Sequence, residues 1–299
     1  MVLAQLQSMA DIFQNSAIVK INDDIFDTHH VELWLKRDDL LHPVVSGNKW
    51  RKLKYSLQQV LLLKKNVIVS MGGQYSNHIH ALAYAGKLLG IKTHGLIRGE
   101  PRAVLTPTLQ DALQWGMEIQ YVSRTNYRKL RQDNDYEHYC GNMNSYWLPE
   151  GGASELALQG VAELVQEIDI DYDVICVACG TGTTLAGIVN VISQQIKAVG
   201  IAVLKHAEFL NTQVALMLRG DCHNWEINFD YHCGGYAKSN DNLLEFIENF
   251  QQKHNIALDR IYTGKMMYAI YELVKLGYFK AGQRIIAVHT GGLQGNRGD

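Results

Sequence analysis

The chain has 299 residues, of which 47% are hydrophobic and 19% charged, and its formal net charge is −2 at pH 7. This is a globular composition, and so small a charge gives no electrostatic reason to expect nucleic acid or an anionic membrane as a partner. No apolar run approaches the roughly 18 residues of a spanning helix, and five cysteines suggest no disulfide framework. The stretch MVLAQLQSMADIF lacks the basic leader and apolar core that are typical of a secretory signal. We therefore expect a cytoplasmic protein.

Short apolar runs alternate with helical patterns along the chain, which predicts an α/β protein with mainly parallel sheets. The predicted strands are Val31–Lys36, Val67–Ser70, Thr93–Ile97, Ile119–Val122, Ser145–Leu148, Asp173–Cys179, Ala198–Val203 and Arg284–Val288. The clearest predicted helices are Ile79–Leu89, Ser154–Glu167, Leu185–Ile192 and Lys265–Leu276. The polar stretch Ser123–Asn144 is predicted to be an exposed segment of low regularity.

Residues 45–53, VSGNKWRKL, place Lys49 at the start of the inward face of a predicted helix. Apolar residues recur at helical spacing after it, at Leu53, Leu57, Val60 and Leu61. The neighbouring cations are predicted on the other side: Arg51, Lys52 and Lys54. Residues 46–48 are predicted to cap the helix. Either Lys49 extends its ammonium to solvent, or it is a nucleophilic amine whose pKa is lowered by desolvation and nearby positive charge.

Residues 67–90, VIVSMGGQYSNHIHALAYAGKLLG, form a strand that ends in glycines and is followed by a helix. Ser76 and Asn77 begin that helix, where free backbone N–H groups and their side chains suit a small carboxylate. A plain helix N-cap is the alternative interpretation. His78 and His80 are two residues apart and do not share a helix face, so no metal site is predicted there.

Residues 173–187, DVICVACGTGTTLAG, contain the best phosphate cradle in the sequence, Gly180–Thr184. Glycines let the backbone approach an anion, and threonine hydroxyls add donors. No lysine follows as in a P-loop, and Leu185 stands where a dinucleotide motif has its third glycine. A monophosphate therefore fits better than a nucleotide, and an ordinary strand-to-helix turn is the alternative.

Three further segments near the C-terminus carry candidate site residues. Tyr262 precedes a glycine at the start of a predicted helix in YTGKM, and Thr290 follows a predicted strand in HTGG. Strand ends are where site residues gather in α/β folds. Tyr236, in GGYAK, is equally consistent with a half-buried core tyrosine.

Six segments, in this order, resemble one family over about Leu33 to Gly292: SGNKWRKL, GGQYSNHIHALA, GTGTTLAG, GGYAK, YTGKM and HTGG. The family is the pyridoxal-phosphate-dependent group that contains D-cysteine desulfhydrase and 1-aminocyclopropane-1-carboxylate deaminase. The resemblance implies the two-domain fold of the tryptophan synthase β subunit, called fold type II. It implies a large cofactor domain from 1–48 and 150–299, a small domain from 49–149, a homodimer and a small amino-acid substrate.

The resemblance also implies a role for each candidate residue. Lys49 would carry pyridoxal 5'-phosphate covalently, and Thr290 would approach the pyridine nitrogen. The cofactor phosphate would be held by Gly180, Thr181, Gly182, Thr183 and Thr184. The substrate carboxylate would be received by Ser76, Asn77 and His78. The catalytic residues would be Lys49, Ser76, Tyr236 and Tyr262, with both tyrosines facing the substrate.

The most specific activity that the resemblance implies is that of a lyase, D-cysteine desulfhydrase, which releases sulfide, pyruvate and ammonia. In the family, the cyclopropane deaminases carry an acid and a leucine where this chain has Thr263 and Thr290, and the desulfhydrases carry small hydroxyl residues. The first alternative is the hydrolase of the same family, 1-aminocyclopropane-1-carboxylate deaminase. Residues 98–128 do not follow the family pattern, which leaves a second alternative, a pyridoxal-phosphate-binding protein with little turnover.

Overall fold

A computed structural model describes residues 13, 16–101, 103–133, 136–140 and 144–297. The backbone forms two sheets, one of six strands and one of four, and helices pack on both. All strand pairs but one are parallel. The predicted α/β class with mainly parallel sheets is confirmed.

The larger sheet has the strand order β1-β2-β10-β7-β8-β9, in which only β1 and β2 are antiparallel. Its strands are β1 (Ile18–Ile21), β2 (Glu32–Lys36), β7 (Val174–Cys179), β8 (Lys197–Ala202), β9 (Trp225–Asn228) and β10 (Arg284–Val288). Every residue of the central strand β7 is buried. Strands covered on both faces read as continuous apolar runs, which is why the sequence reveals them.

The smaller sheet is entirely parallel and has the order β5-β4-β3-β6. Its strands are β3 (Val67–Gly72), β4 (Lys92–Arg98), β5 (Glu118–Val122) and β6 (Ser145–Leu148). All eight predicted strands are found, with ends shifted by at most two residues. Strands β1 and β9 were not predicted, and each is only four residues long.

Eleven α-helices join these strands over the described residues. They are α1 (Asp24–Thr28), α2 (Asn48–Leu62), α3 (Asn77–Leu89), α4 (Pro107–Gln114), α5 (Arg124–Asp133), α6 (Glu137–Cys140), α7 (Glu155–Gln166), α8 (Thr183–Val189), α9 (Phe209–Leu216), α10 (Asp241–His254) and α11 (Thr263–Lys275). Short 3-10 turns lie at Asp38–Leu40, Glu150–Gly152 and Leu293–Asn296. Within the described part of the chain, no helix is long and apolar enough to cross a membrane.

The prediction of low regularity for 123–144 is wrong for most of that stretch, which contains α5 and α6. Residues 134, 135 and 141–143 of the stretch lie outside the described residues. Tyr127 and Leu130 are buried and pack with Met71 and Leu96 of the smaller sheet. This stretch has so few apolar residues among its many charged ones that helical spacing could not be recognised in the sequence.

The cations predicted to lie on the other side of α2 are not all exposed there, because Arg51 and Lys52 are buried. Helix α2 packs closely against α7, where a Cβ added to Gly160 would lie 1.8 Å from the Arg51 carbonyl oxygen. The Arg51 guanidinium pairs with Asp38 at 3.1 Å and with Glu167. The burial of the Arg51 charge is therefore offset by ion pairing.

Candidate active site

A cavity of about 940 Å³ lies between the carboxyl ends of strands from both sheets. The smaller sheet contributes three lining residues: Gly73 after β3, Arg98 at the end of β4 and Pro149 after β6. The larger sheet contributes Gly180 after β7 and Thr290 after β10. Parallel strands direct site residues to this edge.

The cavity brings together all the predicted site residues except one. The residues that line it are Lys49, Ser76, Asn77, His78, Gly180, Thr181, Gly182, Thr184, Tyr236, Tyr262 and Thr290. The exception is Thr183, which is fully buried, with its hydroxyl oxygen 3.0 Å from that of Thr181. The Thr183 side chain therefore lies behind the Thr181 hydroxyl and not on the cavity surface, and the role of Thr183 at the phosphate stays a prediction.

Lys49 lies in the first turn of α2, directly against the end of β10. The helix begins after Gly47, whose φ is +60° and whose added Cβ would lie 1.8 Å from the Thr290 carbonyl oxygen, so only glycine permits this approach. No side chain caps the helix, contrary to the prediction for 46–48. The Lys49 Nζ donates to Asn48 Oδ1 at 2.8 Å, and Asn48 Nδ2 donates to Thr184 Oγ1 at 2.9 Å.

The electrostatic surroundings favour the neutral form of the Lys49 amine. Burial lowers the pKa of Lys49 to about 8, against an opposing contribution from the negative charge of Asp259. Lys52, which is 3% exposed, also lines the cavity. Burial, and then the positive charge of Lys49, hold the pKa of Lys52 well below its usual value. An amine that is partly unprotonated near neutral pH can act as a nucleophile and as a base.

The glycine loop that follows β7 fits a phosphate group. Gly182 has a φ of +74°, and its added Cβ would lie 2.5 Å from Val214 Cγ2. A Cβ added to Gly180 would lie only 3.2 Å from Cε1 of the Tyr262 ring. The bare backbone, the Thr181 hydroxyl and the amine of Lys52 at the same cavity form a site rich in hydrogen-bond donors.

Helix α3 presents its first turn to the cavity on the opposite side. Ser76 is its N-cap and accepts a hydrogen bond from the Ile79 backbone N–H at 3.3 Å, which confirms the predicted cap. Asn77, the first residue of the helix, is 9% exposed and accepts from Gln294 Nε2 at 2.7 Å. The remaining N–H groups of this turn have no acceptor within the helix and suit a carboxylate.

His78 is held as a neutral side chain, and its tautomer follows from the hydrogen bonds of Ser70. Ser70 donates its single hydroxyl hydrogen to the Leu148 carbonyl at 2.7 Å, so the 2.8 Å contact with His78 Nε2 requires that Nε2 carries the proton. Nδ1 has no hydrogen-bond partner among the residues that the structure describes. Burial, followed by the charges of Lys49 and Lys52, lowers the pKa of His78 to about 3. His78 can therefore accept a hydrogen bond but carries no positive charge.

The two predicted tyrosines meet edge to face, with ring centroids 6.2 Å apart. Burial raises the pKa of Tyr236 and raises that of Tyr262 further, so both phenols stay protonated and can donate hydrogen bonds. Fully buried Lys265 donates to the Gly235 carbonyl at 2.7 Å and holds the loop that carries Tyr236.

Asp259, which the sequence analysis missed, holds the start of α11 beside Tyr262. Its Oδ1 accepts from the backbone N–H groups of Ile261 and Tyr262, and its Oδ2 accepts from the N–H and hydroxyl of Thr263. The Thr263 hydroxyl is thus engaged in the helix cap and does not line the cavity. The argument that used Thr263 to distinguish substrates is therefore not supported by a contact of Thr263 with the cavity, and it stays a prediction.

Other cavity residues were also missed. Glu150 lines the cavity and is held by Arg131 at 2.7 Å and by the Tyr127 hydroxyl at 2.7 Å. Lys52 could have been found, because residues three apart on a helix share a face with each other, as Lys49 and Lys52 do. Nothing in the sequence indicated that Glu150 would pair with Arg131 and Tyr127.

The model of one protein family, described as pyridoxal-phosphate dependent enzyme, matches residues 21–291. A putative 1-aminocyclopropane-1-carboxylate deaminase of Pyrococcus furiosus is 30% identical, over 88% of this chain and 85% of the relative. The bifunctional mitochondrial D-cysteine desulfhydrase/1-aminocyclopropane-1-carboxylate deaminase of Arabidopsis thaliana is 28% identical, over 88% of this chain and 73% of the relative. The crystal structure of an ACC deaminase homologue superposes with a TM-score of 0.83 at 27% identity, covering 99% of this chain and 95% of the homologue.

Proposed function

The chain belongs to the family of pyridoxal-phosphate-dependent enzymes, and on that premise we propose that it is a lyase that eliminates sulfide from D-cysteine. The family resemblance and the relatives support an enzyme of the group that contains D-cysteine desulfhydrase and 1-aminocyclopropane-1-carboxylate deaminase. The choice between these two substrates is our own proposal. It rests on the residues of the cavity.

The cavity residues fit the cofactor, and each would hold a different part of it. Lys49 would bind it covalently, the loop 180–184 and Lys52 would hold the phosphate, and Thr290 would bind the pyridine nitrogen. The donor-rich loop in which Gly182 permits no side chain is the observation that supports this fit. When bound, pyridoxal phosphate supplies a conjugated ring that stabilises negative charge at the α-carbon of an amino acid.

The protein's own residues would perform binding and proton transfer. The substrate carboxylate would bind at the start of α3, where Ser76 and Asn77 lie with the free N–H groups of the first turn. Once the substrate amine has displaced Lys49 from the cofactor, the free Lys49 amine, with its pKa lowered to about 8, would take the proton from the α-carbon. The protonated phenols of Tyr236 and Tyr262 would donate hydrogen bonds to the departing sulfur. The net reaction converts D-cysteine and water to pyruvate, hydrogen sulfide and ammonia.

The identity of Thr290 is the single observation that favours D-cysteine. It lines the cavity at the end of β10 and is 7% exposed. In the family, the desulfhydrases carry a small hydroxyl residue at this position and the cyclopropane deaminases a leucine, so Thr290 matches the desulfhydrases. A threonine hydroxyl can donate a hydrogen bond to a neutral pyridine nitrogen but, unlike a carboxylate, cannot stabilise a full positive charge there. We therefore expect weaker withdrawal of charge into the ring than an acid at the nitrogen would give. Such a site suits a substrate with a good leaving group at the β-carbon, as a thiolate is, better than an unactivated carbon ring.

The runner-up is 1-aminocyclopropane-1-carboxylate deaminase, which the names of both relatives support. A further candidate is a pyridoxal-phosphate-binding protein with little turnover. The feature in its favour is the segment 98–128, which does not follow the family pattern and whose first residue, Arg98, lines the cavity.

A panel of amino acids separates these functions. The purified holoenzyme is incubated with D-cysteine, L-cysteine and 1-aminocyclopropane-1-carboxylate, and ammonia, sulfide and keto acids are measured. We expect sulfide and pyruvate in equal amounts from D-cysteine. Faster formation of 2-oxobutanoate from the cyclopropane acid would favour the runner-up, and no product from any substrate would favour the binding protein.

The assembly is also a proposal. We infer from the family resemblance a large cofactor domain of 1–48 and 150–299, a small domain of 49–149, and a homodimer. The two separate sheets, whose strand ends meet at the cavity, support the division. Sedimentation of the holoenzyme tests the dimer.

A further inference from the structure

The C-terminal turn Leu293–Asn296 connects the larger sheet to the helices on the smaller one. Gln294 Nε2 donates to Asn77 Oδ1 at 2.7 Å, although the two residues are 217 positions apart. The following residue of the segment, Arg297, pairs with Asp111 of α4, which also lies 2.9 Å from His80 Nε2. The turn is thus bound to both α3 and α4.

The larger sheet's side of the turn is anchored as well. Asn296 Nδ2 donates to the Leu258 carbonyl at 2.9 Å, just before Asp259 and the start of α11. Contacts on both sides keep Gln294 in place beside α3. Its side chain is therefore in a position to control the orientation of Asn77.

The Asn77 amide has two different ends, and the same segment contacts both. Gln294 occupies the oxygen, and the nitrogen faces Gly292, where an added Cβ would lie 2.5 Å from Nδ2. Gly292 has a φ of +93°, so glycine is required there for its backbone as well. Asn77 is 9% exposed and lines the cavity.

We propose that Gln294 is a positioning residue that keeps the Asn77 amide N–H group toward the substrate carboxylate. The proposal rests on the proposed function, in which the start of α3 binds that carboxylate. A carboxylate only accepts hydrogen bonds, so the amide must present its nitrogen and not its oxygen. In the orientation that the structure shows, Gln294 Nε2 engages Oδ1, so that Nδ2 is the end of the Asn77 amide left to donate to a carboxylate. A residue of the C-terminal turn thereby contributes to substrate recognition without touching the substrate.

The test compares two probes on the holoenzyme: D-alanine, and ethylamine, which has the same amine and no carboxylate. Dissociation constants come from the change in absorbance of the bound cofactor, and their ratio measures recognition of the carboxylate. Gln294→Glu removes the donor and accepts from Asn77 Nδ2 instead, which turns the amide oxygen toward the substrate. We expect binding of D-alanine to weaken about 10- to 100-fold, as for a hydrogen bond to a charged group, while binding of ethylamine stays unchanged.

Two controls separate this effect from others. Gln195→Glu makes the same change at an exposed position away from the cavity, and we expect it to leave both constants unchanged. Gln294→Glu is also measured in an Asn77→Ala background. If the new charge acts only through Asn77, its effect on D-alanine should fall to about 2-fold or less there, which is the logic of a double-mutant cycle. An equal loss in both backgrounds would mean direct charge repulsion and would overturn the proposal.

Melting temperatures verify that each variant folds. If Gln294→Glu does not fold, the neutral and nearly isosteric Gln294→Met takes its place, with an expected loss for D-alanine of about 3- to 10-fold. A wild-type enzyme that binds D-alanine no better than ethylamine would refute carboxylate recognition at α3, and with it the proposed function. If every Gln294 variant keeps the full wild-type preference for D-alanine over ethylamine, the role of Gln294 is refuted, while the proposed function is not.

Discussion

Replacing Asp259 by asparagine should destabilise the protein and alter the reactive lysine at the same time. The Asp259 carboxylate is 1% exposed and accepts four hydrogen bonds at 2.6–2.9 Å. Two come from the backbone of Ile261 and Tyr262 to one oxygen, and two come from Thr263 to the other. An asparagine has only one oxygen, so either orientation of its amide turns an NH₂ group toward two of these donors.

The loss of stability follows from the number of hydrogen bonds that no longer have an acceptor. If the NH₂ group faces Thr263, the hydroxyl can rotate to accept, but the Thr263 backbone N–H is left buried without an acceptor. An unsatisfied buried donor costs about 1–3 kcal/mol, and bonds to a charged acceptor are stronger than those to an amide. We expect the free energy of unfolding to fall by about 2–4 kcal/mol. Tyr262, which directly precedes α11, should lose its fixed position.

The loss is measured by urea unfolding of the apoprotein, with Asp221→Asn, an exposed residue, as the matched control. A second readout is the rate at which pyridoxal phosphate attaches to Lys49 as a function of pH. This rate rises with pH through the pKa of Lys49, about 8, because only the unprotonated amine reacts. Removing the negative charge of Asp259 should move the midpoint to lower pH. An unchanged midpoint together with a loss below about 0.5 kcal/mol would refute the reasoning.

Three further substitutions test the remaining features of the site. Lys49→Ala should abolish covalent attachment of pyridoxal phosphate, and peptide mapping after borohydride reduction should find the wild-type label on Lys49; a label on Lys52 would contradict the assignment. Thr181→Val should raise the dissociation constant for pyridoxal phosphate about 10- to 100-fold, the effect of one lost hydrogen bond to a charged group, and an unchanged constant would exclude this hydroxyl from phosphate binding. Gly160→Ala should lower the free energy of unfolding by about 1–3 kcal/mol or more, because its Cβ would meet the Arg51 carbonyl oxygen at 1.8 Å. If the variant has the same melting temperature as the wild type, α2 and α7 can move apart at this contact without loss of stability.

The sequence by itself determined the features that depend on local backbone chemistry. The inward face that begins at Lys49 follows from residue spacing, and Ser76 is an N-cap because its side chain accepts from a backbone N–H three residues on. The loop after β7 was identifiable because glycines at a strand end permit an approach that no side chain allows. Such patterns involve neighbours within one turn or one strand. They are therefore readable without knowledge of the fold.

Only the tertiary structure decided which charges are buried and what holds each site residue in place. Arg51 was predicted only to lie on the other side of α2, and the structure shows that it is buried there and paired with Glu167, 116 positions away. The sequence did not show that the Thr263 hydroxyl donates to Asp259, nor that Asn77 accepts a hydrogen bond from Gln294 near the other end of the chain. A buried polar group is stable only with a partner. That partner is set by how distant elements pack, which no local pattern encodes.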